Sequence, residues 1–208
     1  DYEDKLSLFK YDAVIESFDN PLAAAGDVYY LTVDVARLGK DKTTILVWKG
    51  MSIVDVRELS KQTIDRQLEA VKEVMNKYRI PAGKVAIDTD GVGGGLADFI
   101  PGCVQVVNNA RPFKGENYQN LKTQLYFKLA EVINAGRIDM SGLNDTQRER
   151  VLEELQIVKR TDTDRDGKLR ITPKDEIKQS IGRSPDYSDS LAYRMMFEYR
   201  SKGFSYGY

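Results

Sequence analysis

Along Val28–Ala36 (VYYLTVDVA), Tyr30, Thr32 and Asp34 alternate with Leu31, Val33 and Val35, the period of two that predicts a largely buried strand. A polar turn follows, and Lys42–Lys49 (KTTILVWK) predicts a second strand. Gly50 turns the chain tightly into a third, SIVDVREL over 52–59. Short turns between consecutive strands make this an antiparallel meander. The period then changes. Ile64, Leu68, Val71, Val74, Met75 and Tyr78 recur at helical spacing before Pro81, predicting an amphipathic helix over Thr63–Tyr78.

Lys84–Asp88 (KVAID) is a short apolar strand ending at a carboxylate, followed by Gly91–Gly95 and a helix opening at Leu96. Val104–Val107 predicts another strand, and helices cover Tyr118–Ala135 and Asp145–Leu155. Leu155–Lys159 and Lys168–Thr172 flank a polar segment with Asp166-Gly167 at its tip, the pattern of a hairpin. Ser184-Pro185 forms an N-cap and first-turn pair for a last helix running through Arg200. Residues 1–25 read as a lead-in with some helical tendency, 26–202 as one domain, and 203–208 as a tail with little to hold it. The order of elements predicts a mixed α/β sheet with helices on both faces.

Composition narrows the chemistry. The 208 residues are 41% hydrophobic and 30% charged, with a net charge of −1, so the overall field gives no sign of a nucleic-acid partner, although a local basic patch can be offset elsewhere. No apolar run approaches the ~18–20 residues of a membrane span, and the N-terminus has no signal-peptide pattern; the expected location is the cytosol. Cys103 is the single cysteine and histidine is absent. That removes disulfides, cysteine- or histidine-rich zinc sites and every histidine-based nucleophile or general base. Cys103 reads as a small buried hydrophobe. Hydrolysis would have to rest on carboxylates, lysines or metals held by oxygen.

Asp34 interrupts a buried strand, and a carboxylate there needs a partner or a cation. Asp88 closes a second strand. Asp186 and Asp189, three apart, share a face of the last helix. Carboxylates gathered at one sheet edge would repel unless cations such as Mg²⁺ or Mn²⁺ sat between them. Two such ions about 3.5–4 Å apart cleave phosphodiesters without histidine.

Val33-Asp34-Val35-Ala36 with Gly39 and Asp41, then Ile87-Asp88 leading to Gly91-Val92-Gly93, then Lys174–Lys178 (KDEIK) leading to Gly182–Ala192 (GRSPDYSDSLA), resemble the nuclease domain of the large terminase subunit of tailed bacteriophages. The last motif is the most specific. The resemblance runs from about residue 26 to 200 and implies a ribonuclease H-like fold. It also implies an endonuclease with two Mg²⁺ or Mn²⁺ ions that cuts double-stranded viral DNA concatemers during packaging, in the cytoplasm of an infected bacterium. By motif position Asp34, Asp88 and one or both of Asp186 and Asp189 would be catalytic metal ligands, with Asp41 as an accessory ligand. No G-x-x-x-x-G-K-[ST] loop is present. The chain therefore reads as a piece of a longer protein, its lead-in connecting to an ATPase part; the small terminase subunit and the portal would be further partners.

The remaining motifs carry two readings each. Gly91–Gly95 is either a loose turn or a close backbone approach to a metal or phosphate. Asp162–Leu169 imitates a calcium loop, but Pro173 holds the twelfth position where a glutamate is needed, so a solvated hairpin tip fits better. Lys159, Arg160, Arg165, Lys168, Arg170, Lys174, Lys178 and Arg183 form either a solvated face or a grip on DNA phosphates. Tyr193, Met195, Met196 and Tyr199 read as core. Two rival functions stay open: an actin-like or sugar-kinase-like ATPase, although that fold normally repeats and only one copy fits here, and an interaction module whose carboxylates merely pair with basic residues.

Overall fold

The structure, a computed structural model, describes residues 6–21, 27–36, 42–90, 93–161 and 167–200. Asp41, Gly91, Val92, Arg165 and Asp166, the first of the two tip residues of the expected hairpin, lie outside the described residues. Three antiparallel strands, β1 (Tyr29–Asp34), β2 (Lys42–Lys49) and β3 (Ser52–Ser60), form the expected meander. Helix α2 (Ile64–Tyr78) then carries the chain to β4 (Val85–Asp88), which lies parallel to β1. The short α3 (Gly93–Ala97) leads to β5 (Val104–Val106), parallel to β4, and the sheet order is β3-β2-β1-β4-β5.

Alternation along the central strands sends their side chains to two separate cores. Leu31, Val33, Ile45, Val47, Val85 and Ile87 pack beneath α2 and α3. Leu46, Trp48 and Ala86 face the opposite layer, which comprises α1 (Tyr11–Ser17), α4 (Leu121–Asn134), α5 (Asp145–Ile157) and α7 (Asp186–Tyr193). Both faces of the sheet are thus covered, as expected. At the carboxyl ends of β1 and β4 the strands open onto a cavity lined by Asp34 and Asp88.

Three details depart from the sequence reading. Helix α5 runs on through Ile157, so the hairpin shrinks to β6 (Arg160–Thr161) against β7 (Arg170–Ile171). An unforeseen helix, α6 (Lys174–Ile181), follows and ends at Gly182, whose φ of +71° suits glycine. The last helix breaks at Arg194 and resumes as α8 (Met196–Arg200). There Arg194 points inward, donates from both Nε (3.0 Å) and Nη2 (2.8 Å) to the Gly50 carbonyl, and stacks 4.0 Å above the Tyr30 ring. Cys103 is only half-buried, at the edge of the α2–α3 core. No described helix is long and apolar enough to cross a membrane.

Candidate metal centre

The β1–β4 ladder pairs Thr32 with Ala86 and Val33 with Ile87. Asp34 and Asp88 follow one residue later on each strand, side by side at the carboxyl ends and on the face that carries α7. Gly93 fixes this corner: a Cβ there would fall 1.7 Å from the Asp88 carbonyl oxygen, so only glycine lets α3 pack so closely. The close approach at this residue is to the Asp88 backbone.

Helix α7 is fastened over the strands by buried hydroxyls. Ser190 Oγ lies 3.1 Å from Thr32 Oγ1, which also accepts from Trp48 Nε1 at 3.1 Å. Its first turn is held by Glu154, a wholly buried residue of α5 that accepts from the Ser188 amide at 2.7 Å and from Arg183. Burial pushes Glu154 up to about 7 against the opposing pull of these donors. So anchored, α7 brings Asp186 and Asp189 to the strand ends.

The two aspartates meet different surroundings. Asp186 is half-buried, lines the cavity and accepts from the Lys42 amide at 3.3 Å. Asp189 is fully buried. Lys122 reaches within 2.5 Å of its Oδ1 and Lys174 within 3.0 Å of its Oδ2, while Tyr126 donates to Oδ1 at 2.6 Å. Burial alone would raise the Asp189 pKa, but Lys122 and Lys174 outweigh it and hold the carboxyl below its ordinary range. Lys174 moves the opposite way: above all Asp189, and then Asp34, keep its ammonium charged.

Asp34 is 5% exposed, and among the described residues no hydrogen-bond donor reaches its carboxylate. Burial, followed by repulsion from Asp189, pushes its pKa well up, with Asp186 and Asp88 adding to the effect and Lys174 opposing it. Asp88 is raised too, chiefly by burial. A buried, undonated carboxylate among other carboxylates suits a divalent cation with oxygen ligands and water. Among the described residues, no three acidic or cysteine side chains are gathered into a preformed cage.

These side chains open into a cavity of about 480 Å³ lined by Asp34, Asp88, Asp90, Asp186, Lys122, Lys174 and Lys178, with Asn108, Asn109, Asn120 and Thr172 among its polar walls. Of the basic run, Lys174 and Lys178 reach this cavity. Lys159, Arg160, Lys168 and Arg170 lie on and beside the β6–β7 ladder that borders it. Arg183 turns away to Glu153 and Glu154. Sequence reasoning missed Asp90, Asn108, Lys122 and Tyr126, and it placed Tyr193 in the core without its hydroxyl's task. Lys122 and Tyr126 are four apart on α4, so their shared face was legible. Their target, Asp189 on α7, was not.

Neither a protein-family model nor a curated protein sequence matches the chain. Solved structures do. The nuclease domain of the large terminase subunit gp2 of bacterial virus Sf6, solved with manganese and β-thujaplicinol, superposes with a TM-score of 0.79 at 18% identity, over 91% of this chain and 98% of that one. A second structure of the nuclease domain of Sf6 gp2 gives 0.77 at 19% identity, over the same shares. The large terminase nuclease from thermophilic phage G20c gives 0.61 at 18% identity, over 92% of this chain and 98% of that one. The chain therefore has the ribonuclease H-like fold of the nuclease domains of phage large terminase subunits.

Proposed function

We propose that this chain is the nuclease part of a phage large terminase subunit, a divalent-metal-dependent endonuclease that cuts double-stranded concatemeric DNA during genome packaging in the host cytoplasm. The observation that carries the reading is the placement of Asp34 and Asp88 side by side at the ends of β1 and β4, facing Asp186 across a cavity with a lysine-bearing wall. The match in shape to terminase nucleases solved with manganese or with magnesium supports it.

Asp34, Asp88 and Asp186 would hold two Mg²⁺ or Mn²⁺ ions, with Asp41 as an accessory ligand. Bound there, the ions would supply an activated water and charge stabilisation at the leaving oxygen; the resemblance to terminase nucleases implies products with a 5′-phosphate. Asp189 takes a supporting part in this reading, because its carboxylate is already committed to Lys122, Lys174 and Tyr126. Through that anchor it aims Lys174 at the cavity, where the ammonium offsets carboxylate charge and binds a phosphate oxygen. Lys178 and the basic residues of the β6–β7 ladder extend the phosphate grip along the strand, an affinity independent of sequence. The ATPase part of the same protein, the small terminase subunit and the portal would deliver the DNA.

Supercoiled plasmid incubated with the protein in Mn²⁺, Mg²⁺ or EDTA tests the reading, with Asp34→Asn and Asp88→Asn alongside. Nicking and linearisation that need metal and vanish in both variants are expected. Intact plasmid in every metal with folded protein, or cleavage that survives both substitutions, would overturn it.

A further inference from the structure

Asp88 is held by three donors from three parts of the chain. The Asp90 amide donates to Oδ1 at 2.8 Å, Asn108 Nδ2 to the same oxygen at 3.3 Å, and the Tyr193 hydroxyl to Oδ2 at 3.2 Å. Asn108 Nδ2 also donates to the Tyr193 hydroxyl, at 3.3 Å. Tyr193 is fully buried and Asn108 is 9% exposed. An ionised carboxylate only accepts, so the amide nitrogen of Asn108 must face Asp88 and its carbonyl must point elsewhere. That carbonyl oxygen, Oδ1, is buried without any hydrogen-bond partner, on a residue that lines the cavity. A buried acceptor without a donor is rare and costly in a folded protein.

We infer that Asn108 and Tyr193 are positioning residues of the metal centre: together they fix the Asp88 carboxylate, and Asn108 Oδ1 accepts from a water held at that centre. This rests on the metal-dependent reading of the site. Both parts follow from one geometry. The two hydrogens of Nδ2 are spent on Asp88 and Tyr193 and the Tyr193 hydrogen is spent on Asp88, which leaves Asn108 Oδ1 as the buried acceptor of the pair with no partner of its own. The Asn108 amide itself donates to Asp90 Oδ2 at 3.0 Å, so the backbone at the end of β5 is fixed to the turn after β4 and the trio does not depend on a mobile loop. A bulky phenol so placed would serve the core equally well as phenylalanine. Its hydroxyl, enclosed near Asp34, Asp88 and Asp189, is the part that core packing leaves unexplained.

Partners that orient a metal-ligating side chain typically contribute 10- to 100-fold to metal affinity. Mn²⁺ titration by calorimetry, without DNA, is the test, on the parent and on Tyr193→Phe, Asn108→Ala and Asp34→Asn, with melting followed in EDTA. Both positioning variants are expected to bind Mn²⁺ about tenfold or more weakly while melting within a few degrees of the parent. Mn²⁺ affinity within twofold of the parent in Tyr193→Phe, which keeps the ring and its packing, overturns the inference and leaves the nuclease reading standing. Should Asn108→Ala fail to fold, Tyr193→Phe decides. A parent that binds Mn²⁺ no better than Asp34→Asn overturns the reading of the site and this inference with it.

Discussion

Lys174 reaches from the cavity rim to place its ammonium 3.0 Å from Oδ2 of the wholly buried Asp189, while its side chain as a whole stays 40% exposed. With Lys122 at the other carboxylate oxygen, Asp189 is a buried anion between two cations, and the open face of the site is left to Asp186.

The two aspartates of α7 should therefore fail differently. Asp189→Asn strands two ammonium groups, and removing one partner of a buried pair costs about 3–5 kcal/mol. Asp186→Asn should cost about 1 kcal/mol or less yet abolish cleavage. Urea denaturation beside plasmid cleavage checks this; an active Asp186→Asn and a stable, inactive Asp189→Asn would exchange their roles.

Glu154 links α5 to the first turn of α7, and its pKa is raised to about 7. A carboxyl raised above its ordinary 4.5 binds its proton more tightly folded than unfolded. Its contribution to stability is thus complete below about 4.5 and is lost as pH rises to about 7. Melting temperature followed across that window should fall more gently with rising pH in Glu154→Gln than in the parent. Parallel curves would contradict the assignment.

Lys178 lines the cavity one helical turn beyond Lys174. If it holds a phosphate, Lys178→Ala should weaken duplex binding to a similar degree across sequences and reduce the log–log salt slope by about 1. Fluorescence anisotropy on the Asp34→Asn background, at several salt concentrations, measures both. An unchanged slope would place the DNA elsewhere.

The strands were legible because Leu31 and Val33 alternate with Thr32 and Asp34 in β1 and because β2 carries an unbroken run of β-branched, aliphatic and aromatic residues, Ile45–Trp48. Asp34 and Asp88 stood out as carboxylates in apolar strands, which is a local signal. Helix α6 was not seen, because only Ile177 is buried in it and its basic residues read as the exit of a hairpin. The break at Arg194 depends on the Gly50 carbonyl, 144 residues away in sequence, and no local pattern encodes that distance. The same holds for Tyr193, whose meeting with Asp88 depends on how α7 settles on the sheet, and for Asn108, which the pairing of β5 with β4 brings to Asp88.

Crystals grown with Mn²⁺ and measured at the manganese absorption edge test the central claim most directly. The account predicts anomalous density between the carboxylates of Asp34, Asp88 and Asp186, absent from Asp34→Asn crystals. Density confined to other surfaces, or none in crystals of active protein, would contradict it.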